Sequence, residues 1–94
     1  MEKHKMLALS TAHVKSETAA LMDAGKIEGV VLYNKGEYGW FVCIPEDIDE
    51  IDELQGKIPD DLYECMYFAS NNWFDWLMFD RDVEVIGNLP VYEW

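Results

Sequence analysis

The sequence predicts an α+β domain. It is a two-layer sandwich in which two helices cover one face of an about four-stranded, mainly antiparallel sheet, with a short acidic helix added. Three observations predict it. β-branched and aromatic runs alternate with helical patterns along the chain. Turn and cap residues separate those runs. Half of the residues are hydrophobic and 14% are aromatic, too many for a disordered acidic chain. Ninety-four residues make one domain, spanning 1–94, able to bury a core with little reserve.

Residues 6–14 (Met6, Leu7, Ala8, Leu9, Ser10, Thr11, Ala12, His13, Val14) read as a mostly buried strand that turns polar at its end. Ser16 and Glu17 then mark a helix start, and Gly25 marks its end. Val30 to Tyr33 is a second strand, Asn34 to Glu37 is turn chemistry, and Gly39 to Ile44 is the return strand, stopped by Pro45. Pro59, Asp60 and Asp61 open a second clear helix, whose apolar face is Leu62, Cys65, Met66, Phe68 and Ala69 and whose end is Asn71-Asn72. Phe74 to Phe79 is a strand with a continuous aromatic run. Asp80 to Asp82 turns outward, Val83 to Ile86 alternates weakly, and Gly87 to Pro90 is another turn. The order β-α-β-β-α-β makes a ferredoxin-like arrangement the first topology expected.

Between the hairpin and the second helix lies the densest charge in the chain. Glu46, Asp47, Asp49, Glu50, Asp52 and Glu53 surround Ile48 and Ile51. Ile44, Ile48, Ile51, Leu54 and Ile58 are spaced by four, three, three and four, the stripe of a surface helix. A short helix over roughly 46–54 is expected, with Ile48, Ile51 and Leu54 docked and the acids outward. Residues 46–64 hold nine acids, counting Asp60, Asp61 and Glu64, against Lys57 alone. Like charges at i,i+3 and i,i+4 destabilise a helix, and solubility needs fewer, more dispersed acids. Solubility and partner binding stand as equal readings of the tract.

The imbalance extends over most of the molecule. Residues 1–35 carry five Lys against four acids, a net of +1; residues 36–94 carry fifteen acids against Lys57 and Arg81, a net of −13; together these give −12. Phosphate contacts need Lys and Arg, so this charge argues against direct nucleic-acid binding and against anionic membranes. It favours a basic protein partner, for which rigid carboxylates can stand in for backbone phosphates. Neither a long apolar run nor a signal peptide is read at the start of the chain. Cys43 and Cys65 sit in apolar runs without metal-type spacing and read as reduced core thiols of a cytoplasmic protein.

Other constellations read more weakly. No EF-hand frame fits: from Asp47, position 6 is Asp52, and from Asp80, position 12 is Val91. A weak divalent site at Asp80, Asp82 and Glu84 is an alternative to an edge whose charges deter pairing. Ser10 or His13 with Asp80 or Asp82 would make an enzyme only if they converge in a pocket. The plainer reading makes the hydroxyls caps and His13 a packed or hydrogen-bonded junction residue. No glycine-rich phosphate loop, cofactor motif or metal-ligand set is expected. Tyr38, Trp73 and Trp94 are the aromatics expected to remain partly exposed. A third function class, an antitoxin-like or assembly protein, would bind through a sheet edge or an aromatic patch.

At Leu9-Ser10-Thr11-Ala12-His13-Val14 the chain resembles a family of small, uncharacterised acidic bacterial domains carried on phages and other mobile elements. The likeness continues through residues 37–42, Asp75-Trp76-Leu77, Phe79-Asp80-Arg81-Asp82 and Leu89 to Trp94. It implies no catalytic residues. It implies a context, that of an accessory or counter-defence protein; with the charge asymmetry and the carboxylate tract, the expectation is a module that inhibits a host restriction or CRISPR effector by occupying its basic nucleic-acid-binding surface. The residues expected to meet such a partner are Glu46, Asp47, Asp49, Glu50, Asp52, Glu53, Asp60 and Asp61.

Overall fold

Met6–Ser10 forms strand β1 and runs into a single 3-10 turn, Thr11–His13. The expected long first strand therefore ends early. Ser10 causes the break: its Oγ accepts the Ala12 N–H at 3.1 Å and bends the chain. Helix α1 covers Ser16–Asp23 and ends, as its glycine predicts, at Gly25 with φ +67°. Strands β2 (Leu32–Asn34) and β3 (Gly39–Cys43) form the hairpin. Helix α2 is Ile48–Glu53, α3 is Asp60–Asn71, and β4 is Trp76–Asp80. The computed structural model describes residues 3–37 and 39–94; Tyr38, one of the aromatics expected to be exposed, lies outside them.

The four strands form one mixed sheet in the order β1-β4-β3-β2. The β1–β4 pair is parallel, and β4–β3 and β3–β2 are antiparallel. The two-layer α+β class stands, with two of three pairings antiparallel. The ferredoxin-like order does not. That fold splits its parallel strands with an inserted one, whereas here β1 and β4 pair directly. The reason lies in β4, the most continuously apolar strand, which takes a central place with a neighbour on each side. The Asp75 and Trp76 N–H groups both reach the Lys5 carbonyl, at 2.8 and 3.2 Å, and align β4 beside β1.

Alternation divides the sheet cleanly. Leu9, Trp40, Val42, Leu77 and Phe79 point to the helices and are buried together with Met22, Ile51, Leu62, Cys65, Met66 and Ala69. Truncating one of the large members to Ala would cost about 2–5 kcal/mol. Gly39 allows the closest strand approach: a Cβ there would lie 1.7 Å from the Phe79 carbonyl oxygen. The chain after β4 forms no regular element, yet it is strapped to the 3-10 turn. The Ile86 N–H donates to His13 Nε2 at 3.1 Å, His13 Nδ1 contacts the Pro90 carbonyl at 2.8 Å, and the Tyr92 N–H donates to the Ala12 carbonyl at 2.8 Å. No helix among the described residues is long and apolar enough to cross a membrane.

Candidate functional site: an acidic helix beside an aromatic groove

Helix α2 exists because its ends and one face are fixed. Asp47 caps it, its Oδ1 accepting the Asp49 N–H at 2.9 Å. Ile51 and Leu54 are buried in the core. Ile48, expected to dock with them, is instead 45% exposed: as the first residue of the helix it lies at the outer end of the docked stripe and lines an open groove rather than the core. Asp49 and Glu50 occupy the first turn, where the macrodipole favours anions. Asp52 and Glu53 sit at the other end, where it does not. Their charge is therefore not there for the sake of the helix.

Glu46, Asp47, Asp49, Glu50, Asp52 and Glu53 are all exposed. Among the described residues none of the six is paired with a lysine or arginine; the ion pair the structure shows joins Lys35 to Asp80 at 2.9 Å. Asp60 is exposed as well.

Asp61 departs from the expected partner-binding set. It is 6% exposed, accepting the Lys15 N–H at 2.6 Å and the Thr18 hydroxyl at 2.8 Å. It caps α1 from another helix, replacing the cap expected from Ser16. The signal was present in the spacing. Asp61, Cys65 and Ala69 are four apart and share the buried stripe of α3.

Against the start of α2 lies a groove of about 620 Å³, lined by Ile44, Glu46, Asp47, Ile48, Trp73 and Asp75 among others. Trp73 dominates its rim, 82% exposed. Its backbone is left-handed, φ +65°, in the position after a helix end that usually holds glycine. The Trp73 N–H reaches the Ser70 carbonyl at 3.1 Å and the Phe74 N–H the Ala69 carbonyl at 3.0 Å, so the turn is a complete Schellman motif. A bulky side chain there costs on the order of 1–2 kcal/mol against glycine. Its indole is turned to solvent and recovers little of that by packing.

The field of the acids reaches nearby groups. Burial first, then Asp75 and Glu46, raise the Cys43 thiol above its ordinary value. Burial, then Asp52 and Tyr67, raise the Tyr63 phenol.

The alternative sites do not assemble. Both His13 ring nitrogens are engaged by backbone groups, as above. The accepting Nε2 assigns the proton to Nδ1, so His13 offers no free base. Ser10 Oγ is committed to the Ala12 N–H. Asp80 binds Lys35 and accepts the Asp82 N–H at 2.8 Å, and those contacts hold its carboxyl below the usual range. Among the described residues no three His, Cys, Asp or Glu side chains are placed to hold a metal ion, Asp80, Asp82 and Glu84 included. A further cavity of about 350 Å³ lies beyond the ends of β1 and β4, lined by Thr11, Asp23, Trp40, Arg81 and Trp94 among others. Trp94 is 64% exposed, and its indole N–H is held by the Val14 carbonyl at 2.9 Å.

A family model described as the C-terminal domain of DUF5983, a family of unknown function, matches residues 6–94. The chain belongs to the DUF5983 family. Comparison with curated proteins and with solved structures finds no match. The DUF5983 match spans every strand and helix described above, so the acidic helix and the Trp73 turn lie inside the family domain rather than in an appendage.

Proposed function

We propose that this DUF5983 domain is a protein-binding module without catalytic chemistry of its own, which engages the basic, nucleic-acid-binding surface of another protein. The observation that carries this is the arrangement around α2. Six exposed carboxylates, which among the described residues have no lysine or arginine partner, stand on and just before a helix pinned by Ile51 and Leu54: four on α2, Asp47 at its cap and Glu46 ahead of it. Pinned charges are pre-organised, so a basic partner meets them without the cost of ordering a flexible acidic tail. Trp73 and Ile48 add apolar contact beside them, the combination typical of binding hot spots. A partner that normally grips phosphates would be steered to this surface and blocked by it. The finer reading is an inhibitor of a restriction or CRISPR effector encoded on a mobile element, and it rests on the sequence likeness alone.

The test uses a panel of purified restriction nucleases and CRISPR effectors. Binding is measured for the wild-type domain and for a form with Gln or Asn at Glu46, Asp47, Asp49, Glu50, Asp52 and Glu53. Asn at position 47 keeps the helix cap. The reading expects competition with duplex DNA, strong weakening at high salt, and a loss of at least about tenfold in the neutralised form. Binding indifferent to both salt and neutralisation would overturn it.

A further inference from the structure

We propose that the sheet face turned away from the helices is the contact surface of a homodimer. Alternation puts Met6 and Ala8 of β1, Trp76 and Met78 of β4, Phe41 and Cys43 of β3 and Tyr33 of β2 on that face. The Cys43 N–H bonds to the Val31 carbonyl at 2.9 Å, which brings Val31 alongside. An antiparallel sheet with one solvated face normally carries polar residues there; this one carries none at these eight positions. Met6, Val31 and Tyr33 are well exposed and the central residues are half-buried by one another. Tyr33 and Trp76 reach over β3 to within 6.2 Å of each other. Among the described residues no helix covers this face.

Two features identify the occupant as a second copy rather than a basic partner. The face is nearly neutral in a chain of net charge −12. Its one acid on a strand position, Asp80, is ion-paired to Lys35 at 2.9 Å, and the acidic helix layer lies on the far side of the sheet. The field that would draw a basic partner is therefore elsewhere, and two copies meet here without their charged layers facing each other. The margins also permit it. Glu46 and Asp75 flank the Cys43 end of the face, so stacking with strands reversed keeps the acidic margins of the two copies apart.

The area sets the strength. Four strands of up to five residues make a face of roughly 19 by 17 Å. Stacking two such faces, with the protruding margins, buries on the order of 1,000–1,200 Å² in total, the lower edge of specific interfaces. The dimer is therefore weak and concentration-dependent.

Sedimentation equilibrium from micromolar to near-millimolar protein tests this. The expected result is a mass rising from one chain toward two, little changed by salt. Met78→Glu at the centre and Tyr33→Glu at the exposed margin should each weaken association at least tenfold. Tyr33→Glu, on an already solvated residue, keeps the fold and decides the matter if Met78→Glu unfolds. A wild-type chain that stays monomeric at the highest concentration overturns the proposal. So does a folded Tyr33→Glu variant that dimerises as before. Neutralising residues 46–53 should leave the dimer intact, so this outcome is separate from that of the basic-partner reading.

Discussion

Asp61 and Trp73 show how opposite two residues can be in what they do for the same helix. Asp61 opens α3 and is consumed by the fold, satisfying the Lys15 N–H and the Thr18 hydroxyl. Asp61→Ala leaves the buried Thr18 hydroxyl and the part-buried Lys15 N–H without this partner, and a loss of about 1–3 kcal/mol is expected. Urea denaturation checks this; Asp61→Asn, which keeps an acceptor, should lose less. Trp73 closes α3 and is strained and exposed. Trp73→Gly should hold or raise stability by up to about 1 kcal/mol while weakening partner binding about tenfold or more. A destabilised Trp73→Gly would make the indole a packing residue instead. The two thiols differ in the same way. Burial, with Asp61 and Glu64 beside it, pushes the Cys65 thiol up to about 12. Iodoacetamide should therefore modify the half-buried Cys43 first and leave Cys65 untouched until the chain unfolds, as mass spectrometry of the native protein can show. The folded-state value of Cys65 is raised, so its contribution is complete below the ordinary thiol value and is lost as pH rises toward about 12. Melting temperature should fall over that alkaline range, less steeply in Cys65→Ala.

At the scale of elements, most of the fold was legible in the sequence. Gly25, Pro45, Pro59 and Asn71-Asn72 punctuate the chain where the elements stop, because each acts through local backbone chemistry. What was not legible depends on which of several competing partners wins, and mostly on distant groups. The first strand stops at Ser10 because its own hydroxyl takes the Ala12 N–H in competition with the ladder. The α1 cap comes from Asp61, on a helix that sequence order places far away. The strand order follows from which strand has the apolar content to be central, and helical connections tolerate several answers. In the site, the acidic helix was visible from the spacing of Ile48, Ile51 and Leu54, although Ile48 turned out to be exposed. The Trp73 turn was not visible, since a tryptophan after a helix gives no cue to a left-handed backbone. Helix α2 carries acids at its unfavourable end, so Asp52→Asn with Glu53→Gln should raise stability by a few tenths of a kcal/mol, read as a higher denaturation midpoint. The same pair should weaken partner binding. A loss of stability would mean that these charges support the helix.

Over the whole molecule, charge and apolar surface are separated. The helix layer carries the dense acids of α2, while the open sheet face is apolar and locally neutral. One surface suits a partner found by long-range attraction, the other a contact made at short range by packing. Counter-ions for the six carboxylates of residues 46–53 would have blunted the first, and polar residues on the strands would have abolished the second. Among the described residues none of the six has a lysine or arginine partner, and the open face carries no charged side chain at its eight central positions; both features lie within the family domain. The most direct test of the anionic surface is equilibrium affinity for a basic DNA-binding effector captured by the wild-type domain. It should be measured for wild type and for the form neutralised at residues 46–53, at low and high salt, with duplex DNA as competitor. The account predicts tight, salt-sensitive binding that excludes DNA and a loss of about tenfold or more on neutralisation. Equal affinity of the two forms at both salt concentrations would contradict it.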